Sequence, residues 1–234
     1  MRRLIIGDIH GCLDELQDLL RKIKLDEERD ELIQLGDMID RGPDPCGVLE
    51  FFRDLKRRMG DRCVLVRGNH EQILLEAVRD PELMELWSAN GGMETVRPME
   101  ERGLKPEDWV SWLTEETVLF YQTDGFLCAH AGAEHEKGEE NSEDTLLWDR
   151  NQLLENRYGG SLAIVGHTPL SVAAYMDGTG GPARALPDGR LRPLPKRGMI
   201  CLDTGCVFGG KLSAMSVRGG FYTLHSVGRG GTQP

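Results

Sequence analysis

The stretch LIIGDIHG at residues 4–11 sets the pattern of the chain, because an apolar run leads directly into glycine, aspartate and histidine. The same arrangement recurs in LIQLGDMIDRG at 32–42 and in CVLVRGNHE at 63–71. Short apolar runs bounded by glycine are typical of buried strands. Apolar residues at helical spacing over 13–23 and 48–59 lie between these strands. Alternating strands and helices predict βαβ units, whose polar turns lie together at the carboxyl ends of the strands.

Later in the chain the pattern continues and then changes. FLCAHAG at 126–132, LAIVGHTP at 162–169 and MICLDTG at 199–205 each join a short apolar run to a polar turn. Residues 170–198 are rich in Gly, Pro and Arg, and 211–227 has the pattern of two strands joined by a glycine pair. The second half is therefore expected to be more antiparallel than the first.

Charge and hydropathy exclude several classes of protein. Among 234 residues, 28 Lys and Arg face 39 Asp and Glu, which gives a formal charge of −11. Binding to a nucleic-acid backbone requires a basic face, so no nucleic-acid partner is expected. No stretch approaches the roughly 18 apolar residues of a membrane span, so no membrane partner is expected either.

The cysteines and the chain ends suggest a compartment and a domain organisation. The six cysteines form no Cys-x-x-Cys pair, and the N-terminal apolar run is too short for a signal peptide. We therefore expect a reduced, cytoplasmic protein. We predict a single domain over residues 1–227 and a flexible C-terminal tail over 228–234.

Aspartate, histidine and asparagine at successive strand ends are candidate ligands for a metal ion. Carboxylate and imidazole together favour Mn, Fe or Zn over Ca or Mg. The candidates are Asp8, His10, Asp37, Asn69, His130 and His167. Six ligands are too many for one catalytic ion with an open position, but they suffice for two ions that share a bridging carboxylate. Paired ions clamp the attacking and leaving oxygens of phosphoryl transfer.

Three motifs, in this order, give the chain a specific resemblance. They are Gly-Asp-x-His-Gly at 7–11, Gly-Asp-x-x-Asp-Arg-Gly at 36–42 and Gly-Asn-His-Glu at 68–71. Together they resemble the signature of the PPP serine/threonine protein phosphatases, within the calcineurin-like metallophosphoesterases. The resemblance runs from residue 4 to about residue 217 and is strongest with the short bacterial and lambda phage members. Asn-Gly-Gly at 90–92 and Leu-Trp-Asp-Arg at 147–150 also resemble that subgroup.

The resemblance implies a fold and a set of metal ligands. The implied fold is α/β, the calcineurin-like metallophosphoesterase fold, with two mixed β-sheets in a sandwich flanked by helices. Asp8 and His10 would bind one ion, and Asp37 would bridge both. The remaining ligands, Asn69, His130 and His167, would bind the second ion. The two divalent ions are expected to be Mn, with Fe, Zn or Ni as alternatives.

The resemblance also assigns roles in catalysis and substrate binding. His70 would be the general acid, oriented by Asp40, and a metal-bridging hydroxide would attack the phosphorus. Arg41 and Arg150 would hold the phosphate oxygens, since two guanidinium groups offer paired contacts to an anion. The implied substrate is a phosphoprotein or phosphopeptide. The chain stops soon after Asp203, so no regulatory subunit is expected.

Three functions are compatible with this reading. The first is a metal-dependent phosphomonoester hydrolase, a serine/threonine protein phosphatase. The second is a symmetric diadenosine tetraphosphate hydrolase, a bacterial relative with similar motifs that commonly has Ala where this chain has Asp40. The third is a catalytically inactive metal-binding or scaffold protein. Asp40 favours the first over the second, and the full set of ligands argues against the third.

Overall fold

The computed structural model describes residues 1–228, which form thirteen strands and eight α-helices. The strands are β1 Arg2–Ile6, β2 Asp30–Gln34, β3 Cys63–Val66, β4 Thr117–Val118, β5 Phe120–Gln122, β6 Leu127–Ala129, β7 Ala163–Val165, β8 Ala174–Met176, β9 Arg184–Ala185, β10 Arg192–Pro193, β11 Met199–Cys201, β12 Lys211–Arg218 and β13 Phe221–Gly228. The helices are α1 Leu13–Ile23, α2 Pro45–Met59, α3 Asn69–Arg79, α4 Met84–Ala89, α5 Met93–Glu101, α6 Glu107–Glu116, α7 Glu143–Trp148 and α8 Asn151–Leu154.

The first sheet has seven strands in the order β10-β13-β12-β1-β2-β3-β4. Strands β1 to β4 are parallel, with Leu4 opposite Leu32 and Ile33 opposite Val64. Strand β12 pairs antiparallel with both β1 and β13. The predicted βαβ units of the first half and the antiparallel hairpin near the C-terminus are therefore both confirmed.

The second sheet has six strands in the order β5-β6-β7-β11-β8-β9. Strands β6, β7 and β11 are parallel, whereas β5, β8 and β9 run antiparallel to their neighbours. Both sheets are thus mixed. The carboxyl ends of their parallel strands carry the polar turns that the sequence singled out.

Side chains of alternating direction in β1 bury both faces of the first sheet. Ile5 belongs to a core cluster that also contains Ile164 and Ile200 of the second sheet. Leu4 and Ile6, one residue to either side, belong to a separate cluster with the helices. Because successive side chains of a strand point to opposite faces, one short run supports both the sandwich and its outer layer. The predicted arrangement of two mixed sheets flanked by helices is confirmed.

The helices cover the outer face of the first sheet with the apolar residues that the spacing identified. Leu16 of α1, Phe52 of α2 and Leu74 of α3 are fully buried in this layer. Helix α2 begins after Asp44, whose side chain accepts from the Gly47 N–H at 2.9 Å, a typical N-cap. Within residues 1–228, no helix has the length and apolar character needed to cross a membrane.

Of the predicted C-terminal tail, only the first residue lies in the described part of the chain. Strand β13 includes Gly228, and residues 229–234 lie outside the described part of the chain. The single domain over 1–227 and the tail over 228–234 stay predictions.

Candidate metal centre

Polar turns from both sheets converge on the carboxylate of Asp37, which follows β2. His10, after β1, places Nε2 3.3 Å from Asp37 Oδ2. His130, after β6, places Nε2 3.4 Å from Asp37 Oδ1. His70, at the start of α3, places Nε2 3.9 Å from Oδ2. All four side chains are buried, so Asp37 lies at the centre of a cluster built from four separate turns.

A second group of ligand atoms surrounds His130. Its Nε2 lies 3.0 Å from Asn69 Oδ1 and 3.1 Å from His167 Nδ1. Nδ1 of the same ring lies 2.8 Å from the backbone oxygen of Leu35. A carbonyl oxygen only accepts, so this contact requires a proton on Nδ1 and leaves Nε2 of the neutral ring available as a ligand.

The same arrangement fixes the orientation of His10. Its Nδ1 lies 2.8 Å from the backbone oxygen of Ile39, and Nε2 points toward Asp37. Burial and the neighbouring His130 lower the pKa of His167 to about 2, so that imidazole is neutral. Neutral imidazoles with an oriented second nitrogen are the form in which histidine binds metals.

Asp8 is held beside the cluster by the turn after β7. The backbone N–H of His167 donates to Asp8 Oδ2 at 3.0 Å and to Oδ1 at 3.2 Å. Gly166 allows this approach, because a Cβ at that position would collide with Asp8 Oδ1. Burial, followed by the negative charges of Asp203 and Asp37, raises the pKa of Asp8 well above its usual range. A bound cation would relieve this repulsion.

The pKa of Asp37 is shifted in the opposite direction to that of Asp8. Burial alone would raise its pKa, but the positive charges that His130, His70 and His10 carry in their protonated forms outweigh burial and hold the pKa well below the usual range. The centre of the cluster is therefore a carboxylate at neutral pH, which is the form that binds a metal ion.

Backbone conformation at these turns is unusual. Among residues 1–228, seven non-glycine residues have positive φ, and the turns of the cluster account for five of them. These five are His10, Asp37, Asp40, Arg41 and His167. A left-handed non-glycine residue costs roughly 1–2 kcal/mol. Such conformations persist where the surrounding structure enforces them, commonly at functional sites.

Glu71 is a residue of the centre whose role the sequence did not reveal. Its buried carboxylate accepts from the backbone N–H groups of Asp37, Met38 and Gly68 at 2.8, 2.8 and 2.9 Å, and from that of Ile39 at 3.3 Å. It therefore ties the turn after β2 to the turn after β3. The one available signal was its place in Gly-Asn-His-Glu, at the first turn of α3.

The two predicted phosphate-binding arginines border the cluster from different sides. Arg41 places NH1 2.9 Å from His10 Nε2, and its guanidinium carbon lies 5.6 Å from the ring centroid of Phe208. Arg150 donates from NH1 to the backbone oxygen of His167 at 2.7 Å and to Thr168 Oγ1 at 3.2 Å. Arg150 thus also braces the turn that carries His167, a candidate ligand. Phosphate binding by either arginine stays a prediction.

The donor set fits two metal ions. One group of mutually close ligand atoms comes from His10, Asp37 and His70, and another from Asp37, His130 and His167. In both groups the atoms lie within 4.8 Å of one another. Because Asp37 belongs to both, it is placed as a shared carboxylate should be. His70 is close enough to join the first group, although the sequence assigned it a different role.

The chain belongs to the calcineurin-like phosphoesterases. A family model with that description matches residues 1–198. The resemblance read from the three motifs is thereby confirmed. This family membership implies divalent metal ions, in agreement with the donor set.

Among named relatives, the chain is similar to "Serine/threonine-protein phosphatase 1" of Salmonella typhimurium, with 30% identity over 226 residues. That match covers 92% of this chain and 91% of the relative. The chain is also 38% identical over 135 residues to "Bis(5'-nucleosyl)-tetraphosphatase, symmetrical" of Edwardsiella ictaluri. There the match covers 56% of this chain and 44% of the relative.

Solved structures share the fold at lower identity. A crystal structure titled as a putative diadenosine tetraphosphatase has a TM-score of 0.65 and 22% identity, covering 100% of this chain and 95% of that one. A protein serine/threonine phosphatase from Saccharomyces cerevisiae has a TM-score of 0.65 and 14% identity, with 100% and 81% covered. At these identities the likeness shows the fold alone.

Proposed function

We propose that this phosphoesterase is a serine/threonine protein phosphatase that hydrolyses phosphomonoesters in proteins or peptides. The observation that carries the proposal is the pair of His70 and Asp40. Asp40 Oδ2 lies 2.7 Å from His70 Nδ1, while the opposite ring nitrogen faces the metal-ligand cluster. A serine or threonine alkoxide is a very poor leaving group, and a positioned imidazole can protonate it as it departs.

The other residues of the site complete this chemistry. When bound, two divalent ions supply positive charge at the phosphate and an activated water as nucleophile. The residues that would hold the ions are Asp8, His10, Asp37, Asn69, His130 and His167. Arg41 and Arg150 border the cluster and orient the phosphate oxygens. His70 donates its proton to the leaving oxygen, and Asp40 fixes the ring so that Nδ1 carries the second proton.

The extent of the alignments with named relatives supports a phosphoprotein substrate. The match with the Salmonella protein phosphatase spans nearly the whole of both chains, whereas the match with the Edwardsiella tetraphosphatase spans less than half of that enzyme. The first alignment therefore covers 92% of this chain, and the second covers 56% of it.

The alternative is symmetric hydrolysis of diadenosine tetraphosphate, which several relatives with that name support. The deciding assay compares two substrates of the purified protein in the presence of Mn. One is a phosphoserine peptide and the other is diadenosine tetraphosphate. We expect a higher kcat/KM on the peptide. Release of ADP from the dinucleotide by a protein that leaves the peptide intact would overturn the proposal in favour of the alternative.

Cofactor, partners and compartment follow from the same proposal. The activating ion is proposed to be Mn, with Fe, Zn or Ni as alternatives, since a set of carboxylates, an amide oxygen and imidazoles is compatible with each of them. The partner is a phosphoprotein substrate, without a regulatory subunit, nucleic acid or membrane. The compartment is the cytoplasm, in keeping with six cysteines that are all buried.

A further inference from the structure

We propose that Trp87 and Thr95 are positioning residues of the reaction, which hold the Asp40 carboxylate so that His70 stays aligned with the leaving oxygen. The inference rests on the general-acid role proposed for His70. Neither residue belongs to a motif read from the sequence, and both come from the helical segment between β3 and β4.

The contacts involve both oxygens of the Asp40 carboxylate. Trp87 Nε1 donates to Oδ2 at 3.0 Å and to Oδ1 at 3.2 Å. The Thr95 hydroxyl donates to Oδ1 at 2.6 Å and accepts from the Asp40 backbone N–H at 3.0 Å. Asp40 and Thr95 are fully buried, and Trp87 is 1% exposed. The carboxylate thus receives two donors besides His70, at a point that bulk water does not reach.

These contacts fix the orientation of the Asp40 carboxylate, which the hydrogen bond with His70 alone would not fix. One hydrogen bond lets a carboxylate rotate about its Cβ–Cγ bond, whereas donors on both oxygens define the plane of the group. Hydrogen bonds to a charged acceptor are stronger than neutral ones, and burial strengthens them further. Asp40 also has a φ of 68°, so its backbone needs support from its neighbours.

The segment is attached to the same corner through its backbone. The Arg41 N–H donates to the Gly91 oxygen at 3.2 Å. A Cβ on Gly91 would lie 2.8 Å from Arg41 Cγ, so only glycine allows this approach at a φ of 94°. The Asn-Gly-Gly motif at 90–92 therefore places α4 and α5 against Asp40 and Arg41. This contact gives the segment a role beyond core packing.

Trp87→Phe tests the indole donor, since it keeps an aromatic ring and removes the N–H. We expect kcat/KM on a phosphoserine peptide to fall on the order of 10-fold, the worth of a hydrogen bond to a charged group. Nitrophenyl phosphate, whose leaving group departs without a proton, should lose much less. The matched control is Trp109→Phe, because Trp109 is also buried in this segment but its Nε1 has no hydrogen-bond partner among residues 1–228. The control should leave kcat/KM unchanged on both substrates.

Thr95 offers a second, independent pair of variants. Thr95→Val keeps the shape of the side chain and removes the hydroxyl, so it should show the same dependence on the leaving group. Thr95→Ser keeps the hydroxyl and should restore the peptide activity. A loss in Thr95→Ser as large as in Thr95→Val would show that packing matters and the hydrogen bond does not.

A double variant separates the inference from the proposed function. If His70→Asn lowers kcat/KM equally on both substrates, the general-acid role fails. If His70→Asn lowers kcat/KM mainly on the peptide, but Trp87→Phe lowers it equally on both substrates or on neither, only the positioning role fails. When both roles hold, Trp87→Phe should add no further loss in the His70→Asn background.

A spectroscopic readout in the metal-free protein does not depend on activity. The indole N–H resonance of Trp87 should move in Asp40→Asn, whereas that of Trp109 should not. An unmoved Trp87 resonance would contradict the contact itself.

Discussion

The parallel strands β1–β3 and the antiparallel hairpin β12–β13 share one sheet and contribute to the same inter-sheet core. Their ends differ. The turns after β1 and β2 place left-handed φ on His10, Asp37 and Asp40, at 46°, 56° and 68°. The hairpin places it on Gly219 and Gly220, where it costs little. The comparison shows that the left-handed non-glycine residues at these strand ends lie in the turns of the candidate metal centre, whereas the hairpin turn uses glycine.

Asp37→Asn should have the largest effect on the strained side of this comparison. The wild-type protein is expected to bind about two Mn per chain, as a shared carboxylate implies. Losing one charge from the bridge should weaken both sites and reduce activity below that of any variant described next. Calorimetry and metal analysis check this. One tight site that persists unchanged in the variant would refute the bridging role.

His70→Asn should have the second-largest effect on activity, and the size of the loss should depend on the leaving group. On a phosphoserine peptide, kcat/KM should fall by a factor on the order of 10²–10⁴, as expected for loss of a general acid. On nitrophenyl phosphate the loss should be clearly smaller. Metal content is measured in parallel. Equal losses with unchanged metal would make His70 a positioning residue.

Arg41 tests whether the turn after β2 also serves the substrate. Arg41→Ala should lower kcat/KM on the order of 10–100-fold, because it removes charged hydrogen bonds to phosphate oxygens. Arg41→Lys should lose less, since a point charge keeps the attraction but not the paired contacts. Steady-state kinetics on one phosphomonoester decide this. Wild-type values in both variants would show that Arg41 does not clamp phosphate.

Glu71→Gln tests the support behind the strained turns. Replacing one acceptor oxygen of the carboxylate with an amide should weaken metal binding roughly 10–100-fold, as for other residues that orient ligands. Glu76→Gln is the matched control on the same helix, because Glu76 is exposed. Equal metal affinity in the two variants would contradict the role of Glu71.

Leu224→Ala probes the other side of the comparison and should have the smallest effect on catalysis. Leu224 of β13 is 2% exposed in the inter-sheet core, so the variant should lose about 2–5 kcal/mol of unfolding free energy. Below its melting transition and with saturating metal, it should keep the wild-type kcat/KM. A loss comparable to that of Arg41→Ala would mean that the hairpin and the turns are not functionally separable.

Sequence reasoning reached those parts of the molecule where a local pattern determines structure. The parallel strands, the first two helices and the polar turns follow from apolar runs and helical spacing. The pattern could not show that Trp87 and Thr95 contact Asp40, because these partners are 47 and 55 residues apart. Nor could it show that Glu71 binds four backbone N–H groups, since only the folded turns bring those donors together.

Arg150 illustrates a different limit. The resemblance predicts that it binds phosphate, and the structure adds a contact between NH1 and the backbone oxygen of His167. A long cationic side chain at the rim of a site can serve a turn, an anion or both. Spacing in the sequence does not distinguish these uses.

The hydrogen bond from the His167 backbone N–H to Asp8 joins residues 159 positions apart. Contacts of such sequence separation carry the entropic cost of closing a long loop. The candidate ligands come from both sheets, so the complete set exists only where the two sheets are packed together. An ion that binds the assembled set adds about 2.7 kcal/mol to the free energy of unfolding when its free concentration is 100-fold above its dissociation constant. Metal loading is thus expected to stabilise the packing of the two sheets, because the candidate ligands Asp8 and His167 follow the first and the seventh strand of the chain.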